Sequence, residues 1–305
     1  MKNFIITILV LGLIGVGIYF LVKKLPTDVE TTQPQNTEQT EETQNVVVDE
    51  SKTVIGQSVE AREITAYHYL PTQAGGTGET ELLFVGGIHG GYSWNTSLVA
   101  YEMMDYLETN PDIIPNNVKV TIVPVLNPDG LNKVVGTTTD ADHFTKADVS
   151  SSQITLTSGR FNAHEVDLNR NFDCDWQPRG LWQTTSVSGG SKQFSEPESL
   201  AIKNYIETSK PDAVVVWYSA AGGVFSSSCG DGILAETSAI TNAYAKASGY
   251  KEYASFDFYP TTGDMVNWLA KMKIPAISVL LTNHSDVEWE QNRKGMEALL
   301  KLYAN

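Results

Sequence analysis

The chain has 305 residues, 41% hydrophobic and 19% charged, a composition typical of globular proteins rather than disordered, collagen-like or coiled-coil ones. Its 21 basic residues face 36 acidic ones, a formal net charge of -15, and no Lys/Arg stripe is present, so nucleic acid is excluded as a partner. Cys174 and Cys229 are the two cysteines, too few for a disulfide scaffold or a cysteine-only zinc site. They permit one bridge, which an exported location would favour over two free thiols.

The amino-terminal segment has the pattern of a membrane anchor. Residues 4–22 carry no charge and are long enough to cross a hydrocarbon core as a helix, with Lys2 before them and Lys23–Lys24 after them. No cleavage site of the signal-peptide kind follows, so we predict an uncleaved anchor over residues 1–24. A buried core helix is the alternative, but a terminal segment without a polar face does not favour it. Lysines on both sides leave the orientation open.

Residues 25–55 predict a flexible linker. The segment is rich in Thr, Gln, Glu and Asn, contains no aromatic residue and sums to -6. Such a sequence buries too little apolar surface to offset its ordering entropy. An anchor followed by a spacer predicts a membrane-anchored protein whose domain lies on the extracellular side.

Residues 56–305 must carry the function. The anchor contributes +3 and the linker -6 to the total of -15, which leaves -12 for this part of the chain. Short, β-branched apolar runs predict strands at 81–87, 118–127, 213–218 and 276–282. Amphipathic runs predict helices at 96–109, 196–209, 236–248 and 287–303, with Ser195 as the cap of the second. This alternation predicts a single α/β domain with a mixed, largely parallel central sheet covered by helices.

Polar and glycine-rich motifs follow the predicted strands. In open α/β sheets, ligands bind beyond the carboxyl ends of the strands, so these motifs are the candidate site. They are Gly86–Trp94 after the first strand, Asn127–Gly130 after the second, Val216–Ser219 at the end of the third, and Gly159–Asn162 and Val166–Phe172 between the second and third.

Together with Ser195–Glu198, Tyr259, Thr262–Asp264 and Trp268, these motifs resemble the zinc metallocarboxypeptidase family, the carboxypeptidase A/B kind and its bacterial relatives. The resemblance covers nearly all of residues 56–305 and implies a metallocarboxypeptidase-like fold that acts on peptide C-termini. It also implies a zinc held by a His and a Glu of a His-x-x-Glu motif and by a later strand-end His, with a second Glu as general base.

The positions that match the family's zinc site are largely substituted. His89 matches the first ligand, but the Glu falls on Tyr92, or on Ser93 if the motif is one residue longer. Tyr218 stands at the second His and Leu280 at the general base. Tyr and Ser hydroxyls are poor zinc ligands at neutral pH, and a leucine cannot take a proton. We therefore expect no bound zinc and no catalysis from this set, with His89 either a relic of the metal site or a histidine satisfied by the backbone.

The positions that match the family's substrate-binding residues are better preserved. Asn169 and Arg170 match the pair that grips the C-terminal carboxylate, for which a guanidinium fork is suited. Tyr259 matches the mobile tyrosine that closes over the substrate, and Arg160 the arginine that polarises the scissile carbonyl. Val266 falls near the side-chain pocket and would favour an apolar or neutral C-terminal residue. In the alternative interpretation, Arg170 pairs with one of the domain's acids and Tyr259 is an ordinary surface residue.

The sequence thus predicts a membrane-anchored protein that binds a peptide C-terminus, or a cell-wall peptide stem, without hydrolysing it. One alternative is an active carboxypeptidase with an unconventional metal set, and another is a purely structural surface domain. A rebuilt metal site would need other histidines. Of His68, His143, His164 and His284, only His284 is expected near the matched positions.

Overall fold

The computed structural model describes residues 51–73, 75–136 and 144–304, which belong to one compact unit that begins at residue 48. The predicted anchor over 1–24 and most of the predicted linker lie outside these residues. Within the described ranges, no helix is both long and apolar enough to cross a membrane.

Ten strands are present in the described residues, and eight of them form one sheet. The eight are β1 (Lys52–Gln57), β2 (Glu63–Tyr69), β3 (Thr80–Val85), β4 (Val118–Val123), β7 (Ala213–Ser219), β8 (Gly223–Ser226), β9 (Lys251–Tyr253) and β10 (Ala276–Leu281). Their order across the sheet is β1-β2-β4-β3-β7-β10-β8-β9. The remaining two, β5 (Arg179–Trp182) and β6 (Thr185–Ser188), form a separate antiparallel hairpin.

The four strands that the sequence predicts are the parallel centre of this sheet. β4, β3, β7 and β10 are neighbours in that order and pair in parallel, for example Leu82 with Ala213 and Val279 with Trp217. β1 and β2 add an antiparallel edge on one side, and β8, antiparallel to β10, leads to β9 on the other. The sheet is mixed, as predicted. Residues 52–55, predicted as linker, instead form most of edge strand β1.

Seven α-helices flank the strands in the described chain. They are α1 (Trp94–Thr109), α2 (Pro128–Val135), α3 (Gln153–Ser158), α4 (Pro197–Ser209), α5 (Ala235–Ser248), α6 (Met265–Lys271) and α7 (Trp289–Tyr303). The four longest, α1, α4, α5 and α7, are the four that the sequence predicts. The prediction of Ser195 as the cap of α4 is wrong: Glu196 holds the cap position, and the Ser195 hydroxyl donates to the Glu196 carboxylate at 2.7 Å.

Side chains of the central strands alternate between two apolar clusters, one on each face of the sheet. On β3, Leu82 and Phe84 enter one cluster, while Leu83 and Val85 enter the other, and all four are buried. This alternation follows from the two-residue period of a strand, and each such side chain stabilises the fold by about 1.5–3 kcal/mol. The second cluster also contains Tyr218 and lies directly beneath the candidate site.

A disulfide joins Cys174 and Cys229, whose Cα atoms are 6.1 Å apart and which are separated by 55 positions in sequence. The sequence permits either a bridge or two free thiols, and the structure has the bridge. It ties the segment after Val166–Phe172 to the segment after β8, so two loops next to the candidate site are covalently connected.

Candidate functional site

A cavity of about 390 Å³ lies at the carboxyl ends of the central strands, where the sequence predicts the site. His89 reaches it from the turn after β3, Tyr218 from the end of β7 and Leu280 from β10. Arg160 and Arg170 line it from the long connection between β4 and β7. The cavity therefore brings together residues from the motifs Gly86–Trp94, Gly159–Asn162, Val166–Phe172 and Val216–Ser219, whereas Asn127–Gly130 does not line it.

Close backbone contacts explain why these motifs lie together. Gly90 has a φ of +44°, and a Cβ there would lie 2.6 Å from the Gly159 carbonyl oxygen and 2.8 Å from Gly130. Only glycine fits such a position. Asn127 accepts a hydrogen bond from the Gly130 amide at 2.9 Å, which caps α2, and donates to the Arg160 carbonyl oxygen at 3.3 Å. Three motifs are thus locked to one another around the cavity.

The positive charge of Arg160 is paired with a carboxylate inside the protein. Its Nε and Nη2 donate to one oxygen of Asp167 at 2.9 and 2.8 Å, and both side chains are buried. Burial alone would raise the pKa of Asp167, but the charge of Arg160 holds that pKa well below its usual range. The guanidinium lies against the rings of Trp182 and Tyr92, 4.6 and 5.7 Å from their centroids. Arg160 therefore lines the cavity with its charge already paired.

His89 is buried in the cavity wall and lacks strong partners. Its Nε2 lies 3.5 Å from an Asp167 oxygen, a long contact, and its Nδ1 has no hydrogen-bonding partner among the described residues. Burial, reinforced by the charge of Arg160, lowers the pKa of His89 to about 4. The imidazole is therefore neutral near pH 7.

Of the two positions that the sequence offers for the second zinc ligand, only Tyr92 faces the cavity. Tyr92 lines the cavity, whereas Ser93 is buried outside its wall. The Tyr92 ring packs edge-on against Trp182, with centroids 4.9 Å apart, and against His284 at 4.4 Å. A cluster of three rings, Tyr92, Trp182 and His284, therefore occupies the part of the cavity next to position 92.

The other two matched positions, Tyr218 and Leu280, carry no group that is ionised at neutral pH. The Tyr218 hydroxyl donates to the side-chain oxygen of Asn169 at 3.2 Å. Burial raises the pKa of Tyr218 well above its usual value, so it stays a neutral phenol. Leu280 is buried and lines the cavity with methyl groups.

Elsewhere in the described chain, only one group of three His, Cys, Asp or Glu residues is close enough to hold a metal ion. It consists of Cys174, Asp175 and Cys229, and its two sulfurs are bonded to each other. His284 lines the cavity, as the sequence predicts, whereas His68 and His164 do not, and His143 lies outside the described residues. The residues present therefore do not fit a catalytic zinc, which needs three protein ligands.

The side chain of Asn169 is held by its own neighbours. Its Nδ2 donates to Asp264 at 2.7 Å, and its Oδ1 accepts from the Met265 amide at 3.0 Å as well as from Tyr218. One N–H of the amide is left for a ligand. Tyr218, Asp264 and the Met265 amide thus fix the orientation of the Asn169 side chain.

Arg170 is buried, and its charge is unpaired. Its Nε and Nη2 donate to the Leu181 carbonyl oxygen at 3.0 and 2.7 Å, and its Nη1 donates to the Asn169 carbonyl oxygen at 2.6 Å. No described carboxylate forms an ion pair with it, and two of its five N–H groups remain. Tyr259, half-buried in the cavity wall, lies with its ring centroid 6.0 Å from the Arg170 Cζ. Carbonyl dipoles hold this guanidinium in place without neutralising it.

The rest of the wall mixes apolar and polar side chains. Val266 lies in it, as the sequence predicts, and the other apolar members are Ala220, Ala221, Phe225, Phe256 and Phe258. Sequence reasoning missed the three phenylalanines, Trp182 and Asp264. Trp182 comes from a hairpin with four-residue strands, too short for a periodic signal. Asp264 belongs to the motif Thr262–Asp264, but nothing in the sequence indicates that its carboxylate faces Asn169.

The mixed sheet, with a cavity at the carboxyl ends of its parallel strands, defines the class of protein. Residues 40–281 match the family model of the zinc carboxypeptidases, and the chain belongs to this family. Among solved structures, it is similar to a murein-tripeptide amidase from Escherichia coli O157, with 19% identity, a TM-score of 0.56, and 83% of this chain and 91% of that one covered. It is also similar to bovine thrombin-activatable fibrinolysis inhibitor in complex with tick carboxypeptidase inhibitor, with 17% identity, a TM-score of 0.60, and 82% and 87% covered.

A curated relative is carboxypeptidase D of Anas platyrhynchos, 27% identical over 161 residues. The match takes in 50% of this chain but only 10% of that protein. At these identities the solved structures establish the fold, and activity must be argued from the residues of the cavity.

Proposed function

We propose that this chain is a membrane-anchored zinc-carboxypeptidase relative that binds the C-terminal carboxylate of a peptide and does not hydrolyse it. A free peptide C-terminus and the stem peptide of a cell wall are the ligands with the required chemistry. The observation that carries the proposal is the buried, unpaired guanidinium of Arg170 in the cavity wall.

A buried cation without a counter-ion costs free energy unless a ligand supplies the anion. Asp264 is the carboxylate of the cavity wall, but it forms no ion pair with Arg170 and acts on it only across a longer distance. Its oxygens already accept from Asn169 Nδ2 and the Asn267 amide, and burial raises its pKa. The two unused N–H groups of Arg170 suit a planar carboxylate. A domain whose formal charge is -12 thus presents, at Arg170, a cation without an ion-pair partner in the described chain, which favours one small anionic group over a cationic ligand.

Hydrolysis lacks the groups it needs. Leu280 can neither take a proton nor orient water, and Tyr218 is a neutral phenol bonded to Asn169. His89 is neutral, and its lowered pKa makes it a weak base. Binding without turnover is the function that these side chains support.

The anchor and linker support a location at a membrane surface. The apolar run over 4–22 would hold the chain in the bilayer, and the acidic spacer would carry the domain away from it. On the extracellular side, this domain would reach cell-wall peptides or the C-termini of exported proteins.

The test measures binding of two peptides that differ only at the C-terminus, one a free acid and the other an amide, to the full-length chain. We expect the free acid to bind at least about 30-fold more tightly, since losing a buried charge-paired partner costs about 2–5 kcal/mol. Arg170→Met should abolish this preference. Arg179→Met is the matched control, because Arg179 is exposed on β5 and bonded to Ser186. Equal binding of the free acid by the wild type and Arg170→Met would refute the proposal.

The second candidate is an active carboxypeptidase with an unconventional metal set. One observation favours it: His89 and His284 both line the cavity, and each has a ring nitrogen without a partner in the described chain. This candidate predicts release of the C-terminal amino acid by the wild type and its loss with a chelator.

Restoring the family's residues separates the two candidates further. If Tyr92, Tyr218 and Leu280 stand at the former ligand and base positions, Tyr92→Glu, Tyr218→His and Leu280→Glu together should produce zinc binding and some hydrolysis. Each change alone should not, because ligands and base act as a unit. A folded triple variant without zinc would mean that these positions are not the former metal site.

A further inference from the structure

His89 lines the cavity, and neither of its buried ring nitrogens has a hydrogen-bonding partner among the described residues. A neutral imidazole carries its proton on either Nδ1 or Nε2, and the hydrogen-bonding groups around the ring determine which tautomer is present. Nε2 faces the Asp167 carboxylate at 3.5 Å, and an ionised carboxylate can only accept. The proton therefore belongs on Nε2, and Nδ1 is a bare acceptor.

The surroundings of Nδ1 supply no donor. Arg160 directs its Nε and Nη2 to Asp167, the Tyr218 hydroxyl donates to Asn169, and Nδ1 itself is buried without a partner in the described ranges. A buried acceptor left unpaired costs free energy, so a ligand that brings a donor to it gains affinity. The cavity thus favours a ligand that places an anionic group at Arg170 and a hydrogen-bond donor at His89.

We propose that His89 Nδ1 accepts a hydrogen bond from the peptide N–H of the ligand's terminal residue. This inference rests on the proposed function, because it assumes that Arg170 holds the terminal carboxylate. The N–H and the carboxylate of a terminal residue are attached to the same Cα, so a ligand held by one presents the other nearby. The ligand class is then the C-terminus of an amide-linked peptide, and a chain whose last residue is joined by an ester should bind more weakly.

The test uses the full-length chain and two peptides with the same free C-terminal carboxylate, whose last linkage is an amide in one and an ester in the other. The ester replaces the N–H by an oxygen and leaves Nδ1 unpaired. We expect the wild type to bind the amide about 10- to 100-fold more tightly. His89→Phe, which keeps an aromatic ring but removes both nitrogens, should bind the two peptides equally.

The outcomes separate this inference from the proposed function. The wild type could prefer a free C-terminal acid to a C-terminal amide and yet bind the peptides with an amide or an ester as the last linkage equally. In that case His89 does not accept a hydrogen bond from the ligand's N–H, whereas the carboxylate-binding role of Arg170 is retained. If no preference for a free acid exists, the proposed function fails first. Persistence of the amide preference in His89→Phe would overturn the assignment to His89.

A second measurement does not depend on any variant. Nitrogen NMR of the labelled imidazole distinguishes the two neutral tautomers. A resonance of a bare Nδ1 that shifts when the amide-linked peptide binds is expected. A proton on Nδ1 in the unliganded protein would contradict the proposal.

Discussion

The two cavity arginines should respond in opposite ways to the same substitution. Arg160 and Arg170 are both buried, but Arg160 is paired with Asp167 and Arg170 has only carbonyl partners. We predict that Arg160→Met strongly destabilises the unliganded protein and that Arg170→Met hardly changes its stability. The contrast follows from what each change leaves behind.

Arg160→Met leaves Asp167 buried and charged without its counter-ion, and breaking a buried ion pair in this way costs about 3–5 kcal/mol. Arg170→Met leaves the carbonyl oxygens of Leu181 and Asn169 without these donors, a loss of about 1–3 kcal/mol at each. It also removes a buried cation that has no ion-pair partner among the described residues, which offsets that loss. The free energy of unfolding should therefore change by about 1 kcal/mol or less.

Urea unfolding of the three proteins, followed by circular dichroism at constant pH and salt, gives the comparison. Arg179→Met, at an exposed position, sets the size of an ordinary surface change. If Arg170→Met destabilises the protein as much as Arg160→Met does, Arg170 has a structural role, and its unpaired charge cannot be read as a site for an anion.

Three further predictions concern His89, the disulfide and edge strand β1. The pKa of His89 is about 4 in the folded protein and 6.5 in the unfolded chain, so the unfolded chain binds more protons between these two values. The free energy of unfolding should therefore fall by about 3 kcal/mol as the pH drops from 6.5 to 4, and His89→Phe should lack this part of the pH dependence. Reducing the Cys174–Cys229 bridge should lower the free energy of unfolding by about 2–4 kcal/mol, measured by urea unfolding with and without reductant, and an unchanged midpoint would contradict it. A fragment that begins at Gly56 loses residues 52–55 of edge strand β1 and should melt at a lower temperature than one that begins at residue 48, whereas equal melting temperatures would assign β1 no role in stability.

The central strands and the motifs at their ends are predictable from the sequence because both are local signals. A strand buried on both faces, such as β7 or β10, must be apolar throughout, and a ligand site must follow such strands. The edge strands escape prediction because they are half-exposed and their residues resemble a linker, as in β1.

The chemistry of the cavity is less predictable, since it depends on contacts between distant parts of the chain. Which of Tyr92 and Ser93 faces the cavity changes with a shift of one residue, and only the packing of Tyr92 on Trp182 decides it. The hydrogen-bonding partner of Arg170 is the Leu181 carbonyl oxygen, which belongs to a hairpin that the sequence does not predict. Residue identity indicates a carboxylate-binding pair, and three-dimensional packing shows that one member is unpaired.

The central claim is that the metal site of this family member has been replaced while its anion site remains. Zinc per chain in the full-length protein, measured by elemental analysis after dialysis against trace zinc, tests it most directly. The account predicts occupancy near zero, the same in the wild type and in His89→Phe. One tightly held zinc per chain that His89→Phe removes would contradict it and make the active enzyme the leading interpretation.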